Sequence, residues 1–100
     1  MDLNTLIDRI GFFRNKANLS ARQLSLQIGK NAGYIHLLET NRKFAPTFDT
    51  LVDILETCNT TFEEFFYRNP QSYKQDMMIL DLLETASEDK KKAIIALLKQ

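Results

Sequence analysis

His36 is the one imidazole of this 100-residue chain and Cys58 its one thiol. No glycine-rich phosphate loop and no ligand pair at metal spacing accompanies them, which argues against an enzyme and against a metal or other cofactor. Glu63-Glu64 reads as the first turn of a capped helix rather than as an acid pair, since carboxylates favour the positive end of the helix dipole. Lys90-Lys91-Lys92 has groups that could hold phosphate, but it follows Glu88-Asp89 and fits a solvated charged face better. The chemistry left is recognition. Asn31, Tyr34 and His36 carry hydrogen-bonding groups within six residues of one another, and Arg42-Lys43 follows with two cations.

The stretch from Leu19 to Arg42 should position those groups. It reads as two short amphipathic helices joined at Gly29, the layout of a helix-turn-helix, in which the second helix lies in a DNA groove. Leu24, Ile28, Ile35 and Leu38 are spaced to point one face of each helix inward, and Gly29 supplies the positive φ that ends the first. Asn31, Ala32, Gly33, His36 and Leu37 are left facing outward. Ahead of this pair, Leu3, Leu6, Ile7, Ile10, Phe13 and Ala17 recur at helical spacing, giving a first helix over about 3–17. Ser20 with Gln23 forms a capping-box pattern for helix two. Asn31 is the expected cap of helix three, which ends near Thr40-Asn41, where Asn can take the left-handed conformation. Thr47 after Pro46 opens helix four, which runs to about Cys58, and Thr61 with Glu64 repeats the capping box for a short helix five. Asn69-Pro70 starts a helix to about Glu84, and Ser87 starts the last. No strand-like alternation appears. The expected fold is all-α: a five-helix unit over 1–67, then a two-helix hairpin over 68–100.

Residues 1–50 hold seven basic and four acidic groups, a net +3, and residues 51–100 hold six and nine, a net −3. The neutral total therefore hides a positive field on the helix-turn-helix half, where phosphates would be met. A lone Cys58 among apolar residues is expected to be a small core side chain. MDLNTLIDRI lacks the apolar run of a signal peptide and no stretch approaches a membrane span, so a cytoplasmic protein is expected, with no membrane partner.

At Ser20, Leu24, Ser25, Ile28, Gly29, Ile35 and Glu39 the chain resembles the phage repressor and Cro family, the Xre-like regulators, gapless from about Ile10 to Phe66. The resemblance implies a five-helix repressor-like DNA-binding domain. It implies a structural ion pair between Arg14, late in helix one, and Glu39 at the end of helix three. It maps phosphate contacts onto Ser20, Thr40, Asn41, Arg42 and Lys43, made without reading sequence, while Ala21 stands where relatives often carry a phosphate-binding Gln.

The base-reading positions that relatives fill with Gln, Ser, Arg or Asn are here Ala32, Gly33 and Leu37. Ala can touch a thymine methyl and Gly allows close approach, but neither makes a bidentate contact to a base. Asn31, Tyr34 and His36 remain as polar readers beside readout of DNA shape. For His36 the alternatives are a reader and a solvated surface histidine; for Tyr34, a phosphate contact and packing at the helix edge. The implied function is a transcriptional regulator, a repressor, that binds double-stranded operator DNA as a homodimer, with no small-molecule ligand evident. The alternative keeps the fold and makes helix three a protein-docking surface. The hairpin carries two apolar stripes, Tyr73, Met77, Leu80 and Leu83 on one helix and Ile94, Leu97 and Leu98 on the other. They would either pair with a second copy, setting the recognition helices about 34 Å apart, or fold back to complete the monomer's core.

Overall fold

Four helices of this protein end on a residue in the left-handed region, and three of these ends, at Asn18, Gly29 and Asn59 with φ of 58°, 76° and 57°, are built alike. Each closure carries the same paired backbone bonds. After α1 (Leu3–Lys16), Asn18 N–H donates to the Asn15 carbonyl and Leu19 N–H to that of Arg14. After α2 (Ala21–Gln27), Gly29 donates to Leu26 and Lys30 to Ser25; after α4 (Phe48–Thr57), Asn59 donates to Glu56 and Thr60 to Leu55. These are Schellman closures, which satisfy carbonyls that a helix end would otherwise leave unpaired. The tight turn at Gly29 brings α2 against α3 (Tyr34–Asn41).

The computed structural model describes residues 1–100, with seven α-helices, one 3-10 turn and no strand. It divides into two compact units, Met1–Phe66 and Tyr67–Gln100.

In the first unit the starts of four of the five helices are set by N-cap side chains. Asp2 accepts the Thr5 N–H, and those bonds hold its carboxyl below the usual carboxylate range. Ser20 and Gln23 form the complete capping box of α2, and Thr47 accepts the Thr50 N–H at the start of α4. Thr61 caps α5 (Phe62–Phe65) through the Glu64 N–H, but the box there is half made. The Glu64 carboxylate turns instead to the Thr60 hydroxyl at 2.8 Å and to Lys16 Nζ at 3.5 Å, because burial of Glu64 rewards partners inside the fold.

The core is a single cluster in which Ile7, Ile10 and Phe13 of α1 meet Leu24, Ile35, Leu38, Leu51, Ile54, Leu55, Cys58 and Phe65. Ile28 is partly buried against it. Cys58 lies inside, as its apolar setting suggests, and burial pushes its thiol up to about 11 against the opposing pull of the Arg14 guanidinium. Phe48 departs from the apolar face of α4 and lies exposed, stacked on Phe62 at 5.8 Å, which in turn stacks on Phe66 at 6.1 Å.

The second unit starts with Asn69 capping a 3-10 turn, Pro70–Ser72, that leads into α6 (Tyr73–Glu84). The turn thus takes the first three residues expected of the helix. The Tyr67 hydroxyl donates to Asp76, a bond that raises its pKa, and the Tyr67 and Tyr73 rings meet edge to face at 5.2 Å. Ser87 caps α7 (Glu88–Leu98) by accepting the Lys90 N–H. Neither α6 nor α7 contains a fully buried residue. Tyr73, Met77, Leu83 and Ile94 are half-buried, whereas Leu80, Leu97 and Leu98 are exposed together with Met78, Ile79, Leu82 and Ile95.

Candidate nucleic-acid interface

Arg14 and Glu39 join α1 to the end of α3 as a bidentate pair, Nε to Oε1 at 2.8 Å and Nη2 to Oε2 at 3.0 Å. The remaining Arg14 nitrogen donates to the Leu19 carbonyl at 2.9 Å, so one guanidinium ties α1, the segment before α2, and α3. Their side chains are 15% and 20% exposed, dry enough for a planar fork on a carboxylate to hold a fixed geometry.

The start of α3 is held from outside its own chain segment. Gly33 precedes it and offers no side-chain cap. Ser25, fully buried on α2, accepts the Ile35 N–H at 2.9 Å and donates to the Ala21 carbonyl at 2.7 Å. A hydroxyl that donates and accepts at once is what this position requires. The Asn31 side chain does not cap α3 in the expected way: it accepts the Gly33 N–H at 3.1 Å, closing a small turn, and the helix starts three residues later, at Tyr34.

At the other end, Arg42 rather than Asn41 takes the left-handed conformation, with φ 58°. The helix ends at Asn41, within the expected stop, and the Arg42 guanidinium turns back to the Glu39 carbonyl at 2.9 Å and pairs with Asp8 at 2.8 Å. Asn41 accepts the Lys43 N–H at 3.0 Å.

These anchors leave Asn31, Gly33, His36, Leu37 and Thr40 exposed on or beside α3, with Ala32 partly covered. Thr40 donates its hydroxyl to the His36 carbonyl, which leaves only its lone pairs for a ligand. Tyr34 packs at the helix edge, its ring 6.1 Å from Phe44 and under Lys30 Nζ at 5.4 Å, and burial raises its pKa. Arg22, Lys30 and Lys43 are exposed around the same segment. Between Ala17 and Pro46 the one acid is Glu39, already matched by Arg14.

The positive charge is more local than the two halves of the sequence suggest. Met1–Phe66 holds seven basic and eight acidic groups, because Asp53, Glu56, Glu63 and Glu64 belong to the same unit as α3. The excess of basic over acidic groups lies in the segment from Ala17 to Pro46.

The helix-turn-helix family model matches residues 12–65, more than half of the chain, and spans this arrangement. The chain belongs to the Xre/Cro-like helix-turn-helix family. It is a DNA-binding helix-turn-helix regulator, in a family that is typically non-enzymatic. No curated protein and no solved structure matches it. No helix of this Xre-like regulator is long and apolar enough to cross a membrane.

Of the phosphate candidates, Ser20 has its hydroxyl in the capping box, Arg42 is turned toward α1, and Lys43 stays exposed. Arg22 and Lys30, which motif positions did not single out, add two exposed cations. Their signal in the sequence was the absence of acids around them. Ser25 was visible as the motif's small residue, but its bond to Ile35 is tertiary and local pattern does not reveal it.

Proposed function

We propose that this Xre-like regulator is a sequence-specific repressor that binds operator DNA as a homodimer, laying α3 in the major groove. One observation carries the reading: a rigidly anchored helix presents an exposed face among Arg22, Lys30 and Lys43, and the one acid of the segment is neutralised by Arg14. Such a face matches the charge of a phosphate backbone. Repression by occupancy is the action that a bound DNA domain delivers by itself.

The homodimer is supported by α6 and α7. Both helices lack a buried residue, and two apolar grooves of about 470 and 370 Å3 flank the hairpin, the first lined by Leu80, Leu83, Ile94, Ile95 and Leu98, the second by Ile79 and Leu82 among others. Apolar surface of this extent is characteristic of an interface. Pairing around a two-fold axis gives half-sites about one DNA turn, roughly 34 Å, apart.

Selection from a randomised duplex pool tests the reading, with light scattering on the full chain and on a chain ending at Arg68. A two-fold-symmetric selected site, a dimeric full chain and a monomeric short one are expected. A monomeric full chain, or a short one still dimeric, removes the hairpin from this role; failure to enrich any site favours protein docking by α3.

A further inference from the structure

Leu37 lies in the middle of the exposed face of α3 and is 52% exposed, an aliphatic side chain on a face otherwise suited to a polyanion. Gly33, one turn earlier, has no conformational need to be glycine: its φ is −95° and ψ 0°. Nor is it crowded, since an added Cβ would meet only the Asn31 side-chain oxygen, at 3.7 Å. Helical side chains lean toward the N-terminus, so Leu37 leans toward the turn that carries Gly33. The missing side chain therefore leaves open space beside an exposed apolar one.

We propose that Leu37 is a specificity-determining residue that reads the 5-methyl group of thymine, with Gly33 making room for the base edge to reach it. The proposal rests on the DNA-binding reading above. Among the groups that base pairs present in the major groove, the thymine methyl is the apolar one, and the rest are hydrogen-bond donors and acceptors. A leucine placed against a donor or acceptor would strip its water without replacing the bond, a penalty that also selects against other bases. The cations Arg22, Lys30 and Lys43 around the same segment favour a nucleic acid over an apolar protein partner for this leucine. Methyl readout gives a site without Gln or Arg readers a means to prefer one base.

The test is an anisotropy titration of the full chain against its selected duplex and against duplexes in which each thymine in turn is replaced by deoxyuridine, which removes only the methyl. One or two positions in each half-site are expected to lose about fourfold in affinity on that replacement, the worth of one buried methyl-sized group. In Leu37→Ala, whose substitution lies on the surface and whose folding is checked by circular dichroism, the same replacements should have no effect. Gly33→Ala should weaken the selected duplex while leaving the unfolding midpoint unchanged. Uracil tolerated at every position overturns the proposal, as does a uracil penalty that persists in Leu37→Ala. Salt-dependent binding with either of those results sinks the methyl readout alone, whereas no binding to any duplex at low salt sinks the DNA-binding reading with it.

Discussion

The Ser25 hydroxyl on α2 caps α3 by accepting the Ile35 N–H at 2.9 Å, so the turn of the motif is closed by a side chain ten residues earlier in the chain. Replacing Ser25 by Ala leaves a buried donor without a partner, which costs about 1–3 kcal/mol. Ser20→Ala removes an exposed cap and should cost about 1 kcal/mol. Urea unfolding checks both, as a lower midpoint with an unchanged slope. A Ser25→Ala midpoint equal to wild type would mean that the bond contributes nothing.

Loss of either Arg14 or Glu39 strands the other charge in a partly dry site, at a cost of about 3 kcal/mol. The double replacement Arg14→Met with Glu39→Leu should be less destabilised than the sum of the singles. A double-mutant cycle by urea unfolding measures the coupling; additive losses would make the pair two independent charges.

Cys58 couples stability to alkaline pH. Its thiol ionises near 9 when unfolded and near 11 in the fold, where burial favours the neutral form. Stability contributed by the buried thiol is complete below pH 9 and is lost as pH rises through about 11. Tyr34, raised in the same direction by burial, adds to the decline. The Cys58→Ala protein should therefore lose less stability than wild type between pH 9 and 11, relative to its own value at pH 7. Parallel curves for the two would contradict this.

Much of the local architecture was legible in the sequence. The caps Ser20, Thr47, Asn69 and Ser87 act on backbone within three residues, so spacing alone reveals them. The left-handed ends at Asn18 and Asn59 were not read from the sequence, because Asn takes that conformation only where the next residues can close the helix. Arg42 took that conformation in place of Asn41 through partners on α1 and at Glu39, which no local pattern encodes. Charge misled when counted along the chain, since acids of α4 and α5 share a unit with the basic segment. Of the candidate site, the exposed positions on α3 followed from periodicity, whereas the inward turn of Arg42 did not.

The Asp8–Arg42 pair also predicts a gain of function. Asp8 is largely exposed, so Asp8→Asn should leave stability nearly unchanged while freeing the Arg42 guanidinium for phosphate. Affinity for all duplexes should rise together, read by anisotropy at fixed salt. Lys43→Ala should do the reverse and reduce the salt slope by about one. An affinity unchanged in Asp8→Asn would place Arg42 outside the phosphate contacts.

Binding of duplex DNA by the cationic segment around α3, through neutralisation of phosphates, is read from the salt dependence of affinity. With about six to eight phosphates contacted per dimer, the logarithm of the binding constant should fall against the logarithm of salt with a slope of about −5 to −7. A salt-insensitive affinity, or no binding to any duplex at low salt, would mean that this segment does not bind DNA through its phosphates.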